Sequence, residues 1–127
     1  MTLPFFLASR FVAGETLSDS LPVVDALNQD GLHVALDKLG EHVHDRSEAE
    51  AARDTYIDLV RTLAAREGSA HLRNRISIKL SMMGQLIDED FCEDNLRQLL
   101  EVAAEEDVFV RLDMEGSDLT RSTLNIF

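Results

Sequence analysis

Three ionisable residues stand in the same relation to short apolar runs. Asp37 ends Leu32–Asp37 (LHVALD), Lys79 lies near the end of Arg75–Leu80 (RISIKL), and Asp113 falls late in Val108–Glu115 (VFVRLDME). If each run is a strand, side chains alternate between faces, so Val108, Val110 and Leu112 point one way and Phe109, Arg111 and Asp113 the other. Each strand then delivers one charge close to its carboxyl end, at a matching height. Two carboxylates flanking an ammonium keep one another ionised. Burying such a trio costs much desolvation, which points to a bound ligand or to further charges from elsewhere. Strand-end charges facing solvent explain one such residue well, but three in the same position less well.

Other polar residues gather around these three. Glu41 follows Asp37 by four, in the loop after the first strand, and Glu115 follows Asp113 by two. His42 and His44 form H-x-H beside Glu41, the beginning of a metal-ligand pattern. No further ligand set stands near them, so a polar loop is the better reading. His33 (mid-strand) and His71 (in a turn) read as structural. Cys92 falls on an apolar helical stripe and reads as core. Met82 and Met83 follow the second strand and read as packing or pocket lining. There is no phosphate-cradling glycine motif, no serine nucleophile elbow and no CxxC.

The elements that must position these residues alternate in type. A lead-in over Met1–Arg10 and a turn at Gly14 precede a helix stepping through Leu17, Leu21, Val24 and Leu27, with Gly31 closing it. Pro22 requires this helix either to start late, with Ser20 as its cap, or to kink. After the first strand and the loop Lys38–Arg46, Ser47 and Glu50 offer a capping box for a helix with the stripe Ala52, Tyr56, Leu59, Val60 and Leu63, ending at Gly68. After the second strand comes a helix starting near Asp88 or Asp90, with the stripe Cys92, Leu96, Leu99, Leu100 and Ala103. Asp107–Met114 is the third strand, and Ser117 caps a last helix. Strands separated by long helical patterns pair in parallel, so the fold class is α/β: a helix followed by three βα units. Such sheets place their chemistry at the carboxyl edge. Three strands alone leave an open edge, so residues 1–127 read as the front part of a larger domain.

Composition narrows the partners. A net charge of −12 argues against nucleic acid, whose phosphates need clustered Lys and Arg. A single cysteine excludes an internal disulfide and fits a reducing compartment. The apolar residues Leu3–Ala8 are too few to span a bilayer and lack a charged segment before them, so the cytoplasm is the expected location.

Four stretches in order, FVAGET (Phe11–Thr16), LDKLGE (Leu36–Glu41), SIKLSMMG (Ser77–Gly84) and VRLDME (Val110–Glu115), resemble the bacterial proline dehydrogenases. The monofunctional type is the nearer match, and the catalytic domain of bifunctional proline utilization enzymes is more distant. The resemblance implies a distorted (β/α)8 barrel, a TIM-type barrel of which about three βα units are present. It also implies an FAD cofactor, L-proline as substrate, 1-pyrroline-5-carboxylate as product, and hydride transfer from proline C5 to the flavin. A membrane quinone takes the electrons, which implies peripheral association with the inner membrane. By the motif match, Asp37 is a pocket residue and Glu41 pairs with a substrate-binding arginine. Lys79 lies near the substrate carboxylate, Asp113 lies beside the flavin and that arginine, and Met114 lies against the flavin. The arginines belong to a later helix, so the isolated 127 residues are expected to be inactive. Gly116, where an acidic residue is common, and Pro22 depart from the family pattern. Two alternatives stand beside this reading: a Schiff-base barrel aldolase using Lys79, and a non-catalytic chain that self-associates through its strand edges.

Overall fold

The computed structural model describes residues 11–66 and 75–127. The Met1–Arg10 lead-in, Gly68 and His71 lie outside the described residues. The order of elements is α1 (Leu17–Gln29), β1 (Ala35–Leu36), α2 (Arg46–Ala64), β2 (Arg75–Lys79), a 3-10 turn (Leu80–Met82), α3 (Glu89–Glu105), β3 (Phe109–Asp113) and α4 (Thr120–Ile126). The strands form one parallel sheet in the order β1-β2-β3, so the expected α/β class and pairing hold. Ile76 and Ile78 of β2 are fully buried among Tyr56, Leu59, Val60 and Leu63 of α2 and Cys92, Leu96, Leu99 and Ala103 of α3. The helices therefore cover one face of the sheet. Ser77, Lys79, Arg111 and Asp113 take the other face by alternation.

Helix starts are set by which of several neighbouring residues caps, and they differ in part from the expected ones. Asp45, not Ser47, caps α2, accepting from the amides of Ser47 and Glu48. Asp88 caps α3 as expected, accepting from Phe91 N at 2.8 Å. Thr16 caps α1 in a reciprocal box with Asp19, so the helix starts early and contains Pro22. The carbonyl that Pro22 cannot bond belongs to Ser18, an exposed residue, and Ser20 donates its hydroxyl to Leu17 O instead of capping. Ser117 caps nothing: α4 begins at Thr120 with no side-chain cap. Leu100, expected in the α3 stripe, is 41% exposed on the outer side of that helix.

Strand starts are set by the preceding helix ends. After α1, Gly31 N–H donates to Asn28 O and Leu32 N–H to Leu27 O, with Gly31 at φ +79°. After α3, Asp107 N–H donates to Ala104 O and Val108 N–H to Ala103 O, with Asp107 at φ +52°. Both are Schellman ends, in which the residue after the left-handed position gives its N–H back to the helix. Leu32 and Val108 are thereby spent, so β3 starts at Phe109 and β1 later still. At its far end β1 stops because Lys38 N–H donates to Tyr56 Oη. The expected strand Leu32–Asp37 shrinks to Ala35–Leu36, and His33 lies before it rather than within it.

These two helix ends predict opposite responses. Nothing lies within 4 Å of a Cβ added at Gly31, so Gly31→Ala carries only the left-handed backbone cost. It should lower stability by about 1 kcal/mol, and Asp107→Gly should raise it by about as much. Urea denaturation followed by circular dichroism checks both, and equal midpoints in all three proteins would contradict this account.

Candidate active site

The carboxyl end of the sheet gathers the charged residues that the spacing singled out. Lys79 and Asp113 are direct register partners in the β2–β3 ladder. Pairing of β1 with β2 ends at Leu36↔Ile76, so Asp37 leaves the sheet lower than Lys79, not level with it. The long lysine stem spans this offset, and Lys79 Nζ donates to Asp37 Oδ2 at 2.7 Å. The group is not buried, as a closed trio would be: the side chains of Lys79 and Asp37 keep 22% and 29% of their exposure. Lys79 and Asp37 form the direct pair, and Asp113 acts on Lys79 as a neighbouring charge.

The hydrogen bond that Lys79 donates to Asp37 raises its ammonium above the ordinary range, outweighing the opposing effect of burial, with Asp113 and Glu115 adding attraction. A Schiff-base lysine needs the reverse, a depressed pKa that frees the amine as a nucleophile. The raised Lys79 suits an ion-pairing cation better than a nucleophilic amine. Because the folded value is raised, the pair stabilises the fold fully at neutral pH. That contribution is lost only as pH climbs past the ordinary lysine range.

Asp113 is held by groups on its own face. Ser77 Oγ donates to Asp113 Oδ1 at 2.6 Å, and Arg111 Nε donates to the same oxygen at 3.0 Å and to Ser77 Oγ at 3.2 Å. The Ser77 hydroxyl, then Arg111, lowers the Asp113 carboxyl below the usual range. Met114 follows with its side chain largely exposed.

Glu41 joins a different cluster. It lies 3.7 Å from His42 Nδ1, and Glu41, His42 and Glu115 bring their ligand atoms within 4.8 Å of one another. The histidine that meets carboxylates here is His42 alone, without His44. Ser81, fully buried, holds these loops together. Its N–H and hydroxyl donate to Glu115 at 3.1 and 2.6 Å, its Oγ accepts from His42 N, and its carbonyl accepts from Val43 N. A cavity of about 860 Å³ opens between residues 11–17, the end of β1 and α2, with Asp37 and Lys38 on its wall. Lys79 does not line it, so it is not the space that the ammonium faces.

Sequence reasoning missed the roles of Ser77, Ser81 and Tyr56. Tyr56 was legible as core, but its hydroxyl donates to Asp37 Oδ1 at 2.9 Å. The signal was available: a tyrosine on a buried stripe must find a partner for its O–H. Cys92 is core as expected, and burial pushes its thiol up to about 12. Met83 is fully buried and Met82 nearly so, which makes both packing residues.

The proline dehydrogenase family model matches residues 20–127. The chain belongs to the proline dehydrogenase family. It is 31% identical over 120 residues to proline dehydrogenase 2 of Bacillus subtilis, covering 94% of this chain and 38% of that protein. It is 36% identical over 124 residues to the proline dehydrogenase of Deinococcus radiodurans, covering 95% of this chain and 39% of that protein. The chain thus spans well under half the length of these relatives. Among solved structures, proline utilization A from Bdellovibrio bacteriovorus, inactivated by N-propargylglycine, superposes with a TM-score of 0.83 at 26% identity. That match covers 97% of this chain and 15% of the other. The α/β architecture of the described residues is therefore that of a family member.

The Ser77 contact predicts a pH signature. A depressed carboxyl adds stability above its unfolded value, and that gain vanishes as pH falls through the folded value. In Ser77→Ala the Asp113 titration should move up toward the ordinary aspartate range, measured from its side-chain carboxyl carbon by NMR. The stability deficit of the variant should be present at neutral pH and shrink in acid. An unmoved Asp113 titration would contradict the assignment.

Proposed function

We propose that residues 1–127 form the N-terminal portion of a distorted (β/α)8 barrel domain that oxidises L-proline to 1-pyrroline-5-carboxylate in proline catabolism. FAD is its cofactor and a quinone its electron acceptor. The single observation that carries this reading is the Lys79 ammonium, kept charged by Asp37 at the carboxyl edge of the sheet beside its register partner Asp113, in a chain of this family. Peripheral attachment to the inner membrane goes with a quinone acceptor, and the cytoplasm remains the expected location. No helix among the described residues is long and apolar enough to cross a membrane, which agrees with attachment and does not require it.

The donor set at this edge fits a flavin in part. Met114 leaves an apolar side chain exposed next to Asp113, and neither is spent on the core. These two residues are the ones that would lie against the cofactor. When bound, FAD supplies the oxidant that takes a hydride from C5 of proline. The rest is done by residues of this chain. Lys79 neutralises the substrate carboxylate, and Asp37 holds that ammonium in place and protonated. Asp113 and Glu41 present carboxylates that fix arginines supplied by later segments, orienting the imino acid for reaction.

The test is a chimaera in which residues 1–127 replace the matching segment of the Deinococcus radiodurans proline dehydrogenase. It should purify yellow, and proline should bleach its flavin under anaerobic conditions. The 127-residue chain alone should retain no flavin after desalting and should not oxidise proline. A yellow, active 127-residue chain would contradict the need for later strands. A folded but colourless chimaera would contradict the barrel reading itself.

A further inference from the structure

Tyr56 is fully buried in the core on the helical side of the sheet, yet its polar tip reaches the charged edge. Lys38 N–H donates to Tyr56 Oη at 3.3 Å, and Tyr56 Oη donates to Asp37 Oδ1 at 2.9 Å. The other carboxylate oxygen, Oδ2, takes Lys79 Nζ at 2.7 Å. The amide occupies the acceptor side of the hydroxyl, so the phenolic proton is directed at Asp37 and nowhere else. Asp37 needs such an anchor, because it sits just past a strand of two residues with its side chain part-exposed. Among the described residues no backbone amide donates to that carboxylate.

We infer that Tyr56 is a positioning residue for the substrate-binding cation Lys79: its hydroxyl fixes one oxygen of Asp37 so that the other stays on Lys79. The inference rests on the proposed role of Lys79 and deepens it, by tying the binding cation to a rotamer locked inside the core. Burial, helped by the nearby Asp37 charge, raises the Tyr56 phenol above its ordinary range, so it is a protonated donor at neutral pH. The charged groups facing Lys79 are Asp37, Asp113 and Glu115, and of these Asp37 alone receives its hydrogen bond.

Two features of the sequence make the test clean: Tyr56 is its only tyrosine, and Lys79 and Lys38 are its only lysines. The alkaline titration of Lys79 is followed by NMR of its ε-methylene in the 127-residue chain, with Lys38 as internal reference and amide spectra reporting the fold. Asp37→Asn should lower the Lys79 midpoint, and Tyr56→Phe, which keeps the ring, should produce most of that drop. A Tyr56→Phe protein that is folded and keeps the wild-type midpoint would overturn the inference, as would an Asp37→Asn protein that does. If Tyr56→Phe does not fold, the intact chain labelled with 3-fluorotyrosine decides instead. Its single fluorine resonance should move on Lys79→Met and stay in place on Lys38→Met. A resonance indifferent to Lys79→Met would overturn the inference. No readout involves proline, so failure here leaves the proposed activity standing, and failure of that activity leaves this link testable.

Discussion

An ammonium half-withdrawn from water keeps its charge only if an anion is held within hydrogen-bonding reach, and this requirement on Lys79 organises the carboxyl edge of the sheet. Asp37 supplies the anion from just past the neighbouring strand, and Tyr56 supplies the donor that steadies Asp37. The cost of desolvating two charges is limited because both side chains remain part-exposed. A pair with this exposure adds little to stability. Its value lies in presenting a fixed positive charge on the face of the sheet that the helices leave free.

The rest of the fold keeps that edge in register. Buried Ile76 and Ile78 lock β2 onto α2 and α3, so alternation sends Ser77 and Lys79 to the opposite face. The ladder to β3 sets Asp113 level with Lys79. Beyond the strands, Ser81 binds the loop after β1 to Glu115 after β3, with the 3-10 turn between them. Three consecutive strand–loop units are thus cross-linked at their carboxyl ends by polar contacts, and by apolar contacts on the helical face.

Much of this was legible in the sequence because it depends on periodicity. The βα alternation, the parallel sheet and the core stripe from Tyr56 to Leu63 follow from spacing, and the Gly31 helix end and the Asp88 cap from residue type at the ends of those periodic runs. The choice of Asp37, Lys79 and Asp113 needed only the alternation rule. The misses have local causes. Competition between neighbouring caps placed the start of α2 at Asp45 rather than Ser47. Strand β1 lost residues at both ends because the amides of Leu32 and Lys38 are committed to a helix end and to Tyr56. The height of Asp37 was misjudged for the same reason, since a strand of two residues does not carry its register to the next position. Contacts made by hydroxyls across the sheet, those of Ser77, Ser81 and Tyr56, have no periodic signature and emerge only from the fold.

The central claim is that Lys79 recognises the carboxylate of the substrate. The most direct measurement compares L-proline with pyrrolidine, which lacks that carboxylate, as reductant of the flavin in the chimaeric enzyme and in its Lys79→Met variant. The account predicts that kcat/KM for proline falls by roughly tenfold to a hundredfold, the weight of one charge-assisted hydrogen bond, while that for pyrrolidine changes little. Equal losses for both substrates, or an undiminished preference for proline, would contradict it.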